Sequence, residues 1–307
     1  MKYFIEFPKY FTNDDLGYMF HQYEEALNSS CEEIVFDLRP CKWLPPTALV
    51  TIVSMYKNIE VTTDCRIELL HPNDETKHYL NRIDFYENIE IDVPFIYRND
   101  STGRFREIEN INSVEEVRNV SNDLVTIIEN QANVSEKLVD DIESCLGEIL
   151  DNIFHHSYSP IDGFVCAQTF SQKREAEFAI CDTGIGIMES LLKNPENSFI
   201  ADDKDAIEKA VQNGVTGTVD FNAAGFQNSG EGLYFIKEAL LSNNGKFKIY
   251  SGKGMMEIER GNIFFNDFPF WPGTLISIRI KLDNDFPLYE NIEREIEGAE
   301  GFDMFEF

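Results

Sequence analysis

Two polar residues on one predicted helix could act on a phosphorylated ligand. Glu148 and Asn152 lie in the text EILDNIFHHS, and a spacing of four places both side chains on the same flank of an α-helix. A carboxylate there can orient or deprotonate a water molecule, and an amide oxygen is a hard ligand for Mg²⁺ that can also contact phosphates. This pair of residues is common in proteins, so alone it indicates no function.

A glycine-rich turn follows an apolar strand further along the chain. Residues 182–187 read DTGIGI directly after the strand-like text EFAIC. An aspartate buried at a strand end can accept a hydrogen bond from the exocyclic amine of a purine. Gly184 and Gly186 would let the backbone turn beside a flat base. Taken alone, the segment is equally typical of an ordinary turn that ends a strand.

Glycines also precede a predicted helix. The text NSGEGL at residues 228–233 leads into YFIKEALL. Gly230 and Gly232 would let phosphate oxygens approach the unpaired amides at the positive end of the helix dipole.

The last motif is PGTLISIRI, a predicted turn followed by an apolar strand. Thr274 could offer a hydroxyl beside the base. The simpler interpretation is a β-branched residue that opens a strand.

Taken in order, the four motifs resemble a known superfamily. The series EILDNIFHHS, DTGIGI, NSGEGLYFIKE and PGTLISI, over roughly residues 120–282, is similar to the GHKL, or Bergerat-fold, ATPases. The stretch 188–229 would take the place of the ATP lid. This resemblance implies a two-layer α+β domain of the histidine-kinase-like type that binds ATP with Mg²⁺.

The resemblance also implies a role for each matching residue. The implied roles are Glu148 as the catalytic or water-orienting carboxylate, Asn152 as the Mg²⁺ ligand, Asp182 as the adenine reader, Gly184 and Gly186 as the turn beside the base, Gly230, Gly232 and Leu233 as phosphate contacts, and Thr274 on the adenine side.

Within the superfamily, ILDNIFHHS is closest to the anti-sigma serine kinases, which often carry a histidine four residues after the asparagine, as His156 does here. His156 also falls on the apolar stripe of its helix, so a core histidine is an equal alternative. No upstream histidine sits in a convincing two-helix hairpin, which makes a histidine-kinase mechanism doubtful. His155 and His156 would point about 100° apart on a helix, which argues against a shared zinc ion.

The elements that must position these residues follow from the periodicity. Apolar residues of a helix over 135–157 form one stripe. A helix over 120–133 precedes it. After the glycine-rich turn, a loop-rich stretch runs to residue 229. The other predicted elements are strands over 163–170, 175–181, 246–251, 255–259 and 274–281, and a helix over 231–242.

The first third of the chain alternates between predicted strands and helices. These are strands over 3–7, 33–38 and 66–70 and helices over 13–28, 46–58 and 74–82, an order typical of a small α/β domain. The texts EEIVFDLRPCKWLPPTALV and YLNRIDFYENI resemble a STAS domain. The place of that family's phosphorylatable residue reads LPPTALV, so Thr47 could be a relic, a phosphosite or only a helix-start residue.

These patterns divide the chain into four parts. They are a STAS-like domain over 1–93, a linker over 94–118, the ATPase-like domain over 119–282 and an acidic tail over 283–307. The tail is interpreted as a solvated end or as a docking peptide built on its late phenylalanines.

Composition limits the partners. The formal charge is −29, from 55 acidic and 26 basic residues, so DNA, RNA and anionic membranes are poor partners. A mononucleotide stays compatible because a metal ion and backbone amides can neutralise its phosphates. The six cysteines form no CxxC pair and the chain holds no apolar run of roughly 20 residues, which predicts a cytoplasmic protein with reduced thiols.

Together these patterns predict an Mg²⁺-dependent, ATP-binding signalling protein. It would be an ATPase or a serine/threonine kinase of the anti-sigma type that acts on a protein partner, whose surface could be basic, and it could form a homodimer. The alternative is a catalytically weak, nucleotide-gated binding module. A third interpretation is an interaction protein without a nucleotide, in which both resemblances are accidental.

Overall fold

The computed structural model describes residues 1–94, 105–131, 143, 146, 147, 149–152, 157–215 and 232–282. Two β-sheets and the helices packed on them account for most of this part of the chain. No helix among the described residues is both long and apolar enough to cross a membrane.

The first sheet is parallel and has the strand order β1-β2-β3. Parallel neighbours need a crossover connection, and helices α1 and α2 supply the two crossovers. The α/β alternation predicted from the sequence is therefore found. Its elements are β1 (Lys2–Glu6), α1 (Leu16–Asn28), β2 (Glu33–Asp37), α2 (Pro46–Thr62), β3 (Arg66–Leu70), α3 (Asp74–Arg82) and α4 (Phe85–Asn88).

The second sheet is antiparallel and has the strand order β4-β5-β6-β8-β7. Residues 149–152 are helical, as predicted. The other elements are β4 (Phe105–Ile111), α5 (Val114–Gln131), β5 (Gly163–Phe170), β6 (Glu175–Asp182), α6 (Gly186–Leu192), α7 (Asp203–Ala210), α8 (Gly232–Asn243), β7 (Lys246–Glu259) and β8 (Asn262–Lys281).

Strand β4 lies where the sequence predicted a linker over 94–118. Its text FREIENI buries only Ile108 and Ile111, and the pairing with β5 shifts register between Arg106 and Glu109. An edge strand with such an irregularity has no clean alternation of apolar and polar residues. Residues 105–111 of the predicted linker therefore form a strand of the second sheet, and α5 begins at Val114.

The predicted loop-rich stretch before residue 229 contains two helices in its described part, α6 and α7. Both are short, so neither spans enough turns to show a helical period. The side chain of Asp202 caps α7 by accepting a hydrogen bond from the Asp205 N–H at 2.8 Å. The prediction of loops was therefore wrong for these residues.

Strand β7 bends sharply near Gly252. The Lys248 ammonium lies 2.6 Å from the Glu257 carboxylate, although nine residues of straight strand would span about 30 Å. Gly252 has a φ of +58°, and a Cβ there would meet the Asp203 carboxyl at 2.1 Å. Ser251 therefore lies at the bend of β7.

Both faces of the five-stranded sheet are covered. One face carries Val165, Ile180 and Ile278, which pack in the same core cluster as Ile236 and Leu240 of α8.

The opposite face packs against the first third of the chain. Ala179, Cys181 and Leu275 belong to the same core cluster as Phe20 of α1 and Ile52 of α2. Helices α1 and α2 therefore lie between the two sheets, and the two predicted domains share one core.

Candidate functional site

Asp182 ends strand β6 and is only 2% exposed. The Gly184 N–H donates to its Oδ1 at 2.7 Å, and the Thr274 N–H also donates to the carboxylate. The register that pairs Cys181 with Leu275 brings Thr274 of β8 to this place. A carboxylate has about four acceptor positions, so Asp182 can accept a further donor from a ligand.

Burial raises the pKa of Asp182 to about 7, and the N–H groups of Gly184 and Thr274 partly oppose this rise. Desolvation disfavours the charged form, whereas hydrogen bonds from backbone amides favour it. Near neutral pH, the side chain is therefore poised between its two protonation states. A ligand that donates a hydrogen bond to the carboxylate favours the ionised state.

The backbone around Asp182 is packed too closely for side chains. A Cβ on Gly273 would lie 2.3 Å from Asp182 Oδ1 and 2.5 Å from the Gly184 nitrogen. A Cβ on Gly184 would lie 1.9 Å from the carbonyl oxygen of Ser157. Gly273 is a site residue that the sequence prediction missed. The Pro-Gly pair before Thr274 was its only signal, and it indicated a turn.

Gly186 begins helix α6 with a φ of +72°. Beside it, the Ser251 hydroxyl accepts a hydrogen bond from the Ile187 N–H at 2.9 Å and donates to the Gly273 carbonyl at 2.9 Å. A Cβ on Gly186 would meet the Ser251 oxygen at 2.8 Å. Ser251, also absent from the prediction, thus holds the start of α6 against β8.

The helical residues 149–152 pack on the same sheet. Ile149 and Leu150 lie in the core cluster that contains Ile180 of β6, and Asn152 is half-buried. Five residues later, the Ser157 carbonyl accepts a hydrogen bond from the Ile185 N–H at 2.8 Å. This contact ties the segment after Asn152 to the turn that follows Asp182.

Helix α8 starts beside the same turn. Gly232 is its first residue and is buried. Leu233 and Ile187 pack against the same two core clusters. The first amides of a helix have no partner within the helix and favour anions, which is why phosphate contacts are predicted here.

The structure thus brings Asp182, Gly184, Gly186 and Thr274 together, with the start of α8 near α6. Glu148 and Gly230 lie outside the described residues, and so do His155 and His156. Their predicted roles stay predictions.

The residues present fit a purine nucleotide. Asp182 offers a buried hydrogen-bond acceptor. The glycines beside it carry no side chain that would cover the main chain. Among the described residues, no group of three or more His, Cys, Asp or Glu could hold a metal ion by itself. Mg²⁺ suits such a site because it usually takes one or two protein ligands together with substrate phosphates and water. Asn152 would be the protein ligand.

One known family matches part of the chain. Residues 112–241 match a family described as the histidine kinase-like ATPase domain. The match supports a GHKL-type ATPase domain that binds ATP. It includes Asn152, Asp182 and Leu233 and ends before Thr274. No curated protein matches the chain, and no solved structure does.

Proposed function

We propose that this chain is an Mg²⁺-dependent, ATP-binding signalling protein that hydrolyses ATP or transfers its terminal phosphate to a serine or threonine of a protein partner. The observation that carries the proposal is Asp182, a buried carboxylate bonded to two backbone amides at a strand end. It lies inside the region that matches the histidine kinase-like ATPase family.

In this proposal, each site residue contributes to ATP binding or to the reaction. The Asp182 carboxylate accepts a hydrogen bond from the adenine amine, and the glycine backbone at Gly184 and Gly273 lies beside the base. The start of α8 receives phosphate oxygens. Asn152 holds Mg²⁺, which supplies positive charge at the phosphates when it is bound. Glu148 orients the attacking water or hydroxyl group.

Thr47 is not the phosphate acceptor in this proposal. Its side chain is fully buried, and its hydroxyl donates to Glu177 Oε1 at 2.8 Å. A kinase could reach it only after the sheet and α2 had separated. The acceptor is therefore placed on a partner, and the charge of −29 favours a partner with a basic surface.

The parallel sheet β1-β2-β3 and its two crossover helices support a STAS-like first domain. In our proposal, this domain transmits the nucleotide state to the partner.

A second candidate function is a nucleotide-gated binding module with little turnover. It is favoured by the bond between Asn58 of α2 and Thr183, and by Trp271, which bonds the Asp182 carbonyl and packs on Phe20 of α1. In this version, ATP binding changes the protein's affinity for its partner, and the phosphate stays on the nucleotide.

The two functions are separated by following the label of γ-labelled ATP. The purified chain is incubated with Mg²⁺ and the labelled ATP beside the Asn152→Ala and Asp182→Ala variants. Label released as phosphate, or moved to protein, and lost in both variants supports the enzyme. Label that stays on bound ATP favours the binding module. A chain that neither binds nor turns over ATP would overturn both proposals.

A further inference from the structure

Asn58 of helix α2 contacts the end of strand β6 from the face of the five-stranded sheet that lies opposite α8. Its Oδ1 accepts a hydrogen bond from the Thr183 hydroxyl at 3.2 Å. Its Nδ2 donates to the hydroxyl of Tyr23 in α1. Asn58 is 5% exposed and Thr183 is also 5% exposed, so water does not readily replace either bond. Both ends of the amide are therefore engaged in a buried chain from α1 to Thr183.

A second contact links α1 to Asp182 through Trp271 of β8. The Trp271 indole N–H donates to the Asp182 carbonyl at 2.9 Å. The indole stacks on Phe20 with ring centroids 4.8 Å apart and lies 5.4 Å from the Tyr23 ring. The Asp182 carbonyl is thus held by Trp271, which packs on α1, and the Thr183 side chain is held by Asn58 of α2.

Helix α2 is aligned with β6 over the length of the strand. Thr47 contacts Glu177 near the start of β6, and Asn58 contacts Thr183 after its end. Eleven helical residues rise by about 16 Å, and six strand residues span about 20 Å. The helix cannot slide along the strand without breaking a buried contact at one end.

From these contacts, and resting on the proposed function, we propose that Asn58 is a positioning residue for nucleotide recognition. It holds the Thr183 side chain and, through it, the main chain beside Asp182. This fixes the direction of the Asp182 carboxylate and so sets the preference for adenine over guanine. Adenine presents an amine donor to that carboxylate, whereas guanine presents a carbonyl oxygen, which an ionised carboxylate repels. Base preference therefore reports how firmly Asp182 is held.

The test is the ratio of the dissociation constants for GTP and ATP, measured by calorimetry with Mg²⁺ on the full chain. Asn58→Leu keeps the branched shape of the side chain and removes both hydrogen bonds. We expect its GTP-to-ATP ratio to fall about tenfold, the size of one lost buried hydrogen bond. A general loss of stability would instead lower the bound fraction for both nucleotides and leave the ratio unchanged.

A second pair of variants tests the same contact from the other side. Thr183→Val removes the hydroxyl with little change in shape and should lower the ratio as Asn58→Leu does. Thr183→Ser keeps the hydroxyl and should restore it. Thr47→Val is the matched control, because it removes a buried hydroxyl at the far end of α2 and should leave the ratio at the wild-type value.

Three results would overturn the proposal. A wild-type GTP-to-ATP ratio in both Asn58→Leu and Thr183→Val would show that Asn58 has only a structural role. The proposed function would then remain intact. The same fall in Thr47→Val would show that any damage to α2 has this effect. A wild-type chain that binds neither nucleotide would overturn the proposed function together with this inference.

Discussion

The hydroxyl of Thr47 donates to the carboxylate of Glu177 at 2.8 Å, although 130 residues separate them in the chain. Ser277 of β8 lies 2.8 Å from the same hydroxyl, and Arg279 forms an ion pair with Glu177. Glu177 is fully buried. The start of α2 is therefore attached to the middle of the five-stranded sheet by a charged group with several partners.

Replacing Glu177 should strongly destabilise the protein. Glu177→Leu leaves the Thr47 hydroxyl and the Arg279 guanidinium without their acceptor, and removing one partner of a buried ion pair costs about 3 kcal/mol or more. Thr47→Val leaves the ion pair in place and should cost about 1 kcal/mol. Urea unfolding followed by circular dichroism measures both. Equal midpoints for the two variants would contradict this account of the network.

The pKa of Asp182, raised to about 7 by burial, predicts how stability depends on pH. The unfolded chain loses this proton near pH 4, so between pH 4 and 7 the folded state binds more protons. The contribution of Asp182 to stability is therefore complete below pH 4 and is lost as pH rises through 7.

Asp182→Asn should remove this dependence, which over the full window is on the order of 4 kcal/mol. The difference in free energy of unfolding between wild type and variant, measured at pH 5.5 and 8, gives the size of the effect. A difference that does not change with pH would show that Asp182 does not titrate in this window.

Much of the fold could be predicted because the relevant residues are neighbours in sequence. Strand β6 and the turn after it are contiguous in the sequence. The apolar stripe over 135–157 predicted the helix to which residues 149–152 belong. The first domain's parallel sheet follows from the same regular alternation of strands and helices.

The rest depends on contacts between distant residues. Gly273 matters only because β8 brings it against Asp182, and nothing in its own neighbourhood shows this. Trp271 lies just before the predicted turn and outside every predicted strand, and Asn58 is the last residue of a predicted helix, so neither was expected at the site. The sharing of one core by the two predicted domains is likewise a property of how α1 and α2 pack, which no local period encodes.

Nucleotide affinity should rise with pH through the pKa of Asp182. The adenine amine donates a hydrogen bond, so it is accepted best when the carboxylate is ionised. In Asp182→Asn, the side-chain oxygen still accepts a hydrogen bond but does not titrate. We therefore expect ATP affinity at pH 8 to exceed that at pH 6 by up to about tenfold in the wild type, and by less in the variant.

Both proteins share the titration of the ATP phosphates, so the difference between their pH profiles isolates Asp182. Calorimetric titrations at constant ionic strength provide the two profiles. Parallel profiles would mean that the base does not contact this carboxylate.

Gly273→Ala should strongly weaken nucleotide binding at moderate cost to the fold. The new methyl group would lie 2.3 Å from Asp182 Oδ1 and 2.4 Å from its carbonyl oxygen, so the strand end must move. We expect at least a tenfold loss of ATP affinity and a destabilisation of about 1–3 kcal/mol. Gly261→Asn is the control, because Gly261 has open space around it and asparagine tolerates its positive φ. Wild-type affinity in Gly273→Ala would place the base elsewhere.

The shared core predicts that the chain cannot be divided at its predicted linker. Removing residues 1–94 would expose Ala179, Leu275 and Trp271, which now pack beneath α1 and α2. An apolar sheet face of this kind promotes association. We expect the fragment 95–307 to aggregate or to bind a hydrophobic dye when produced alone, and to become soluble when it is produced together with fragment 1–94.

Size-exclusion chromatography of the co-produced fragments, with unfolding of the purified pair, measures this dependence. The pair should elute as one complex, and Glu177→Leu should weaken it because that variant breaks the contact between α2 and the sheet. Thr62→Val is a suitable control, since the Thr62 hydroxyl bonds only within α2, to the Asn58 carbonyl. A fragment 95–307 that is monomeric and as stable as the intact chain would show that the two parts fold independently. In that case, the coupling through Asn58 would lose its structural basis.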